Sequence, residues 1–271
     1  MKNLVLLILS LIVLLPFQLS AGWIITGRYI NSEGNTILKR YFIQNNVIKV
    51  ERYNLIYTCN LQTGSIIIVD PENLVFTKTT LNIYIEKLKA NKMSRLAELV
   101  NLIPENERAL YEIKYRLQTE KDLTLSDYSN DSLVIRKMAD TVKLLGYQTD
   151  KYIISENGRK KEEMFFTDEV NISADLDLDT FLQYVYLLEP EDKTVKYRIA
   201  KSYSDLVKNG FVIRRFIFED GFRSEWQVNK IEQKDIPAYE FGNPDLCKEL
   251  TLDKWLIREK NSADKYYDDY E

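Results

Sequence analysis

Acid–base and nucleophilic chemistry needs side chains that can give up and recover a proton, so those residues decide first what this chain can do. Histidine is absent from all 271 residues. A Ser-His-Asp triad, a Cys-His dyad and every histidine-ligated zinc or haem site are therefore excluded. Carboxylates offer three candidates. Asp175, Asp177 and Asp179 alternate like the opening of a calcium loop, but Thr180 stands at the sixth position in place of glycine and Tyr186 at the twelfth in place of glutamate. Acids at this point favour the amino end of a helix instead. Glu162-Glu163 and Glu219-Asp220 could be paired as acid and base. Each lies at a turn or in a hairpin strand, where a carboxylate ordinarily faces solvent. Nine glycines scattered along the chain leave no cluster for a phosphate loop. The reading is of a protein without catalytic residues, metal or cofactor.

Composition and charge narrow the partners. Lys and Arg number 37 against 41 Asp and Glu, a formal net charge of −4. A nucleic-acid partner held by counterion release needs a basic face, so none is expected. Hydrophobic residues make up 45% and charged residues 29%, the balance of a folded globular chain rather than a disordered or multi-span one. Asn130-Asp131-Ser132 and Asn171-Ile172-Ser173 match the glycosylation tripeptide, which matters only in a eukaryotic secretory pathway.

The amino terminus points to export. Lys2 supplies a positive charge, Leu4 to Phe17 is apolar apart from Ser10, and Leu19-Ser20-Ala21-Gly22 supplies small residues for processing. This is the order of a secretory signal peptide, residues 1–21, and its apolar run is shorter than the roughly 20 residues of a bilayer span. An uncleaved membrane anchor is the alternative. Trp23 stands where a bacterial lipoprotein would carry its lipidated cysteine. Export permits a disulfide between the two cysteines, Cys59 and Cys247. In the chain-entropy view so long a loop would contribute about 5 kcal/mol; two buried, unpaired thiols are the alternative.

The elements that would position any site divide into a strand-rich start, a helical middle and a strand-rich end. Six short runs between residues 23 and 78 are rich in β-branched and aromatic side chains. Their breaks carry turn chemistry: Asn31 to Asn35, Asn45-Asn46, Tyr53-Asn54, Gln62-Thr63-Gly64 and Asp70 to Asn73. Connections this short cannot make parallel crossovers, so an antiparallel meander is predicted. In the second run Leu38, Arg40 and Phe42 share one side, and Ile37, Lys39, Tyr41 and Ile43 the other. From Thr80 to Ile103 the period becomes helical, with Leu81, Ile85, Leu88 and Leu96 on the apolar stripe and Thr79 or Thr80 as N-cap. Pro104 ends this helix and opens a second one carrying Leu110, Ile113 and Leu117. The stripe is expected to cover the meander. Peripheral contact with a membrane surface is the alternative for an amphipathic, lysine-bearing helix.

Further strands are predicted over 133–138, 142–145, 148–155 and 160–167, the last two around Asn157-Gly158. Helices follow over 177–188 and 193–208, and a hairpin over 211–218 and 223–231. Residues 259–271 form an acidic, tyrosine-rich tail that reads as disordered. One continuous domain over 22–258 is expected. The class is α+β, an antiparallel meander with the helices of 80–118 covering one face and further strands after them. Two domains divided near 120–132 are the alternative.

Leu133 to Lys137, then Leu144-Leu145-Gly146-Tyr147-Gln148-Thr149-Asp150-Lys151-Tyr152, then Glu163-Met164-Phe165-Phe166 resembles the core of an exported bacterial family of unknown function. That family's fold is similar to the outer-membrane lipoprotein carrier LolA. Gly22 to Val50 and Ile236 to Phe241 are similar too, so the likeness spans most of the chain. The resemblance implies a LolA-like half-barrel, one curved antiparallel sheet shared by all the strands with the helices of 80–118 on its concave face, and a space between sheet and helices that in LolA receives acyl chains. The expected function is a non-enzymatic binding or carrier protein of the cell envelope, periplasmic or secreted. Its ligand would be a lipid, a lipoprotein or another hydrophobic molecule. An exported enzyme with an unrecognised carboxylate site, and a structural envelope protein, are the alternatives. Strand alternation and helical spacing select Trp23, Ile25, Tyr29 and Leu38 from the sheet, and Leu81, Ile85, Leu88 and Leu96 from the helix, as ligand-lining residues.

Overall fold

The computed structural model describes residues 21–52, 54–123, 133–188, 193–219 and 221–258. The expected signal peptide, apart from Ala21, and the acidic tail 259–271 lie outside the described residues. So does Asp220.

Short connections of two to five residues build the first half of the sheet. Strands β1 (Gly22–Ile30), β2 (Thr36–Gln44), β3 (Val47–Arg52), β4 (Leu55–Asn60), β5 (Ser65–Asp70) and β6 (Val75–Thr80) run antiparallel in sequence order. Between β2 and β3 both Asn45 and Asn46 have positive φ, 52° and 60°, the twist that joins strands most tightly and that asparagine tolerates best. The second half is β7 (Leu133–Leu144), β8 (Tyr147–Glu156), β9 (Arg159–Thr167), β10 (Phe211–Glu219) and β11 (Phe222–Lys234). Asn157-Gly158 turns β8 into β9 with the same positive φ pair, 50° and 74°. The strands expected separately over 133–138 and 142–145 are one strand, β7, with a bulge between Lys137 and Thr141.

The halves join through their most distant members. β1 pairs with β11 from Gly22 opposite Lys234 to Ile30 opposite Glu225, and β12 (Lys248–Glu249) adds a short parallel strand beside β6. The result is a 12-stranded curved, unclosed and mostly antiparallel sheet, in the order β12-β6-β5-β4-β3-β2-β1-β11-β10-β9-β8-β7. Opposite Thr26 and Gly27 a bulge in β11 leaves Asn229 unpaired, and there Trp226 lies against the Gly27 backbone. A Cβ on Gly27 would sit 2.3 Å from the indole.

Helices α1 (Leu81–Val100), α2 (Glu105–Leu123), α3 (Leu178–Leu188), α4 (Lys201–Val207) and α5 (252–258) complete the class as α+β. Thr80 caps α1, accepting from the Ile83 amide. The segment expected as one helix over 193–208 is a 3₁₀ turn (Lys193–Ile199) followed by α4.

The covering of the sheet differs from expectation. The main core joins Ile25, Ile43, Ile48, Cys59, Ile66 and Ile68 of the sheet to Leu178, Tyr184, Tyr186 and Leu187 of α3. Beside it Ile154, Met164, Phe166 and Val212 pack on Tyr197, Tyr203 and Val207. Thus α3, the 3₁₀ turn and α4 cover the face that α1 and α2 were expected to cover. α1 leaves β6 beside the sheet's edge and gives the core only Leu81 and Tyr84, with Ile85 and Leu88 against them. Beyond that it pairs with α2, and Lys89 Nζ meets Glu120 at 3.0 Å. α3 wins the central position because its sequence, Leu-Asp-Thr-Phe-Leu-Gln-Tyr-Val-Tyr-Leu-Leu, is apolar on most of its circumference.

Candidate functional site

Helix α3 is held above the meander by contacts at its own start. Asp177 caps it, its carboxylate accepting from the Thr180 amide at 3.2 Å and the Thr180 hydroxyl at 2.7 Å. The Asp177 amide donates to the Asn46 side-chain oxygen at 2.7 Å, and the Asn46 amide donates to the Asp175 carbonyl at 2.8 Å. Trp23 adds an indole N–H to the Asp175 carboxylate at 3.0 Å. Asp179 turns to Lys208 at 2.5 Å, which lowers its carboxyl against the effect of burial. The alternating acids are thus structural. No group of metal-ligating side chains occurs among the described residues.

Between α3 and the sheet lies a partly enclosed cavity of about 970 Å³, at the upper end of the size of small-molecule sites. Its floor is Ile25, Tyr29, Ile37, Tyr41, Ile43 and Ile48, with Val50, Tyr57 and Cys59 beyond them. Leu178, Phe181, Leu182, Val185 and Leu188 form the roof. The half-buried Asn31 and the exposed Asn35 and Thr36 at the β1–β2 turn mark its rim. Trp226 closes one wall, edge-on to Tyr41 with ring centroids 5.6 Å apart.

Four cations and no carboxylate are among the described residues of the lining: Lys39, Arg52, Arg198 and Arg215. Arg198 and Arg215 share one buried partner, Glu162 of β9, which is 0% exposed. Arg198 Nε lies 3.2 Å from one carboxylate oxygen and Arg215 Nε 3.6 Å from the other. The Tyr197 hydroxyl donates to Glu162 at 2.5 Å, and Tyr203 completes the cluster at 3.4 Å. Burial alone would raise the Glu162 carboxyl; the two guanidiniums and Tyr197 outweigh it and hold the group below the usual carboxylate range. Burial, reinforced by the adjacent carboxylate, pushes the Tyr197 hydroxyl far up. Arg198 Nη2 and Arg215 Nε are buried without a hydrogen-bond partner among the described residues.

The residues selected from sequence separate on this frame. Ile25 and Tyr29 line the cavity. Trp23 is half-buried against the core and holds Asp175 rather than lining the space. Leu38 lies on the outer face, 66% exposed, because Ile37, Lys39, Tyr41 and Ile43 are the inward set. Leu81, Ile85, Leu88 and Leu96 lie elsewhere, along α1. The first three belong to the main core or pack on it, Leu96 is buried within α1, and the cavity lining includes none of the four. The lining of α3 and the Glu162 cluster were not selected. Cys59 and Cys247 are both free. Cys59 lies in the core on the covered face, and Cys247 packs on Ile67, Val69 and Phe76 of the opposite face, so the sheet separates the two thiols.

No curated protein matches this sequence. Among solved structures, the chain aligns with PNGF-II in its P21 crystal form at 11% identity and a TM-score of 0.36, covering 88% of this chain and 33% of that one. The C2 form of PNGF-II gives 12% identity and a TM-score of 0.34, covering 85% and 31%. The chain therefore spans about a third of the length of those proteins. A family model, the domain of unknown function DUF4412, matches residues 76–247, from β6 through the strands β7 to β11. The chain belongs to the DUF4412 family.

Proposed function

We propose that this protein is an exported, non-enzymatic binding or carrier protein of the cell envelope, holding the apolar part of a hydrophobic ligand between its sheet and α3 in the manner of a LolA-like half-barrel. The observation that carries the reading is the cavity of about 970 Å³ with isoleucine, leucine, valine and aromatic side chains on both floor and roof. A core that needed only to be filled would close over such residues at crystal-like density. Export rests on the composition of residues 1–21, and amino-terminal sequencing of periplasmic or secreted material is expected to begin near Gly22. The binding test is a fluorescent fatty-acid titration. Each added methylene buried should contribute on the order of 0.8 kcal/mol, so affinity rises with chain length. Val185→Trp, which fills the roof, should weaken binding, and Leu38→Trp on the outer face should leave it unchanged. Absence of saturable binding would sink the carrier reading.

The helical hairpin supports a peripheral contact with the membrane as the source of such a ligand. Leu110, Ile113 and Leu117 of α2 are 57%, 56% and 66% exposed on successive turns. Replacing all three by serine should lower co-sedimentation with phospholipid vesicles; unchanged co-sedimentation would remove this contact from the proposal.

A further inference from the structure

The cavity's charge has a sign, and it opposes that of the whole protein. Formal net charge is −4, yet the described lining contributes Lys39, Arg52, Arg198 and Arg215 and no acid. A cleft lined by one sign of charge concentrates ligands of the other. At its β9–β10 end the imbalance is local. Arg198 and Arg215, with side chains 12% and 19% exposed, face a single carboxylate, Glu162. One carboxylate neutralises one guanidinium, so the cluster keeps about one positive charge in a desolvated setting, where an uncompensated charge is costly. The buried Arg198 Nη2 and Arg215 Nε have no hydrogen-bond partner among the described residues. Guanidinium is the side chain best matched to oxyanions, which it binds through paired N–H donors.

From this we infer that the ligand is an anionic amphiphile, its carboxylate or phosphate headgroup seated against Arg198 and Arg215 and its chain lying beneath α3. The inference rests on the carrier reading and specifies its ligand class. Tyr197 and Tyr203 act as positioning residues: each hydroxyl is bonded to Glu162, and Tyr203 also accepts from Arg215 Nη1 at 3.4 Å. They hold the carboxylate back in the sheet and leave the arginines on the cavity wall.

Titration calorimetry of the whole protein with dodecanoate, dodecyl phosphate and dodecanol separates the parts of this argument. The three probes share one chain and differ only at the head. At low salt either or both anions should bind about 10- to 100-fold tighter than dodecanol, the span of a charge-assisted hydrogen bond. Which anion gains more identifies a carboxylate or a phosphate source. Raising the salt should narrow that ratio without abolishing dodecanol binding. Arg215→Gln leaves Glu162 paired with Arg198, and the ratio of anion to dodecanol affinity measured on that same variant should fall most of the way to one. Dodecanol binding as tightly as both anions to the unaltered protein would overturn the anionic headgroup and leave the carrier reading standing. Failure of all three probes to bind would overturn the carrier reading itself.

Discussion

Glu162 is the residue whose removal should be felt most. Its neighbour in sequence, Glu163, serves as the internal control. Glu162 is wholly buried between two arginines and two tyrosines, whereas Glu163 points to the opposite face and meets Lys151 and Lys160 at 2.9 and 2.8 Å near solvent. Glu162→Gln keeps an oxygen for Tyr197 and Arg198 but deletes the charge. Arg198 and Arg215 then face each other as buried like charges. Removing one member of a buried pair typically costs about 3–5 kcal/mol, and with two cations orphaned by one change the upper half of that range applies. A protein of this size loses roughly 2–4 °C of melting temperature per kcal/mol, so the midpoint should fall by about 10 °C or more. Glu163→Gln, which loses pairs with the partly exposed Lys151 and Lys160 and orphans no buried charge, should cost clearly less than Glu162→Gln.

The pH dependence carries the sign of the effect. Glu162 has its carboxyl held below its ordinary value of 4.5. A group depressed in the folded state contributes stability that is complete above its unfolded pKa and disappears as pH falls through the folded one. The gap between wild type and Glu162→Gln should therefore be constant from pH 7 down to about 5 and narrow only below the ordinary carboxylate range. Urea unfolding at a series of pH values measures it. A gap under about 1 kcal/mol at pH 7 would refute the buried-charge argument, as would one that closes well above that range.

Two further outcomes follow from single contacts. Gly27→Ala places a methyl 2.3 Å from the Trp226 indole opposite the β11 bulge, and such overpacking should cost about 1–3 kcal/mol in thermal unfolding; an unchanged midpoint would mean the bulge relaxes freely. Burial pushes the Cys59 thiol up to about 12, so a thiol reagent at neutral pH should label only Cys247 in the native protein and both cysteines after unfolding. Labelling of Cys59 at the native rate of Cys247 would show that the core opens.

Local chemistry made most of the fold legible. The six strands of the meander lie within a residue or two of their predicted bounds, because asparagine, glycine and proline fix where each strand turns. Thr80 as N-cap and Pro104 as breaker gave both long helices their starts. The pairing of β1 with β11, across some two hundred residues, has no such local marker, although the family resemblance implied a shared sheet. The split of 193–208 into a 3₁₀ turn and α4 turns on Ala200, whose extended backbone nothing in its own residue type requires.

The site was half legible, and the reason lies in the periodicity itself. Alternation sorts β2 correctly into Leu38-Arg40-Phe42 and Ile37-Lys39-Tyr41-Ile43, but each set mixes apolar and cationic residues, so neither announces itself as inward. What selects the second set is tertiary. On the outer face Phe42 joins Ile24 and Ile236, so that side is covered only locally by the chain after β11. The docking of Asp175 and Asp177 onto Asn46 brings α3 down on the other side. The same limit hid Glu162. A carboxylate in a lysine-rich hairpin, Lys160-Lys161-Glu162-Glu163, reads as solvent-facing until the strand's parity places it with Met164 and Phe166. Those two are 0% and 5% exposed. Given that parity, a glutamate in line with two core side chains requires a cationic partner. The charge that could mark the ligand's headgroup was therefore implied by the pattern of β9, once the covered face of the sheet was known.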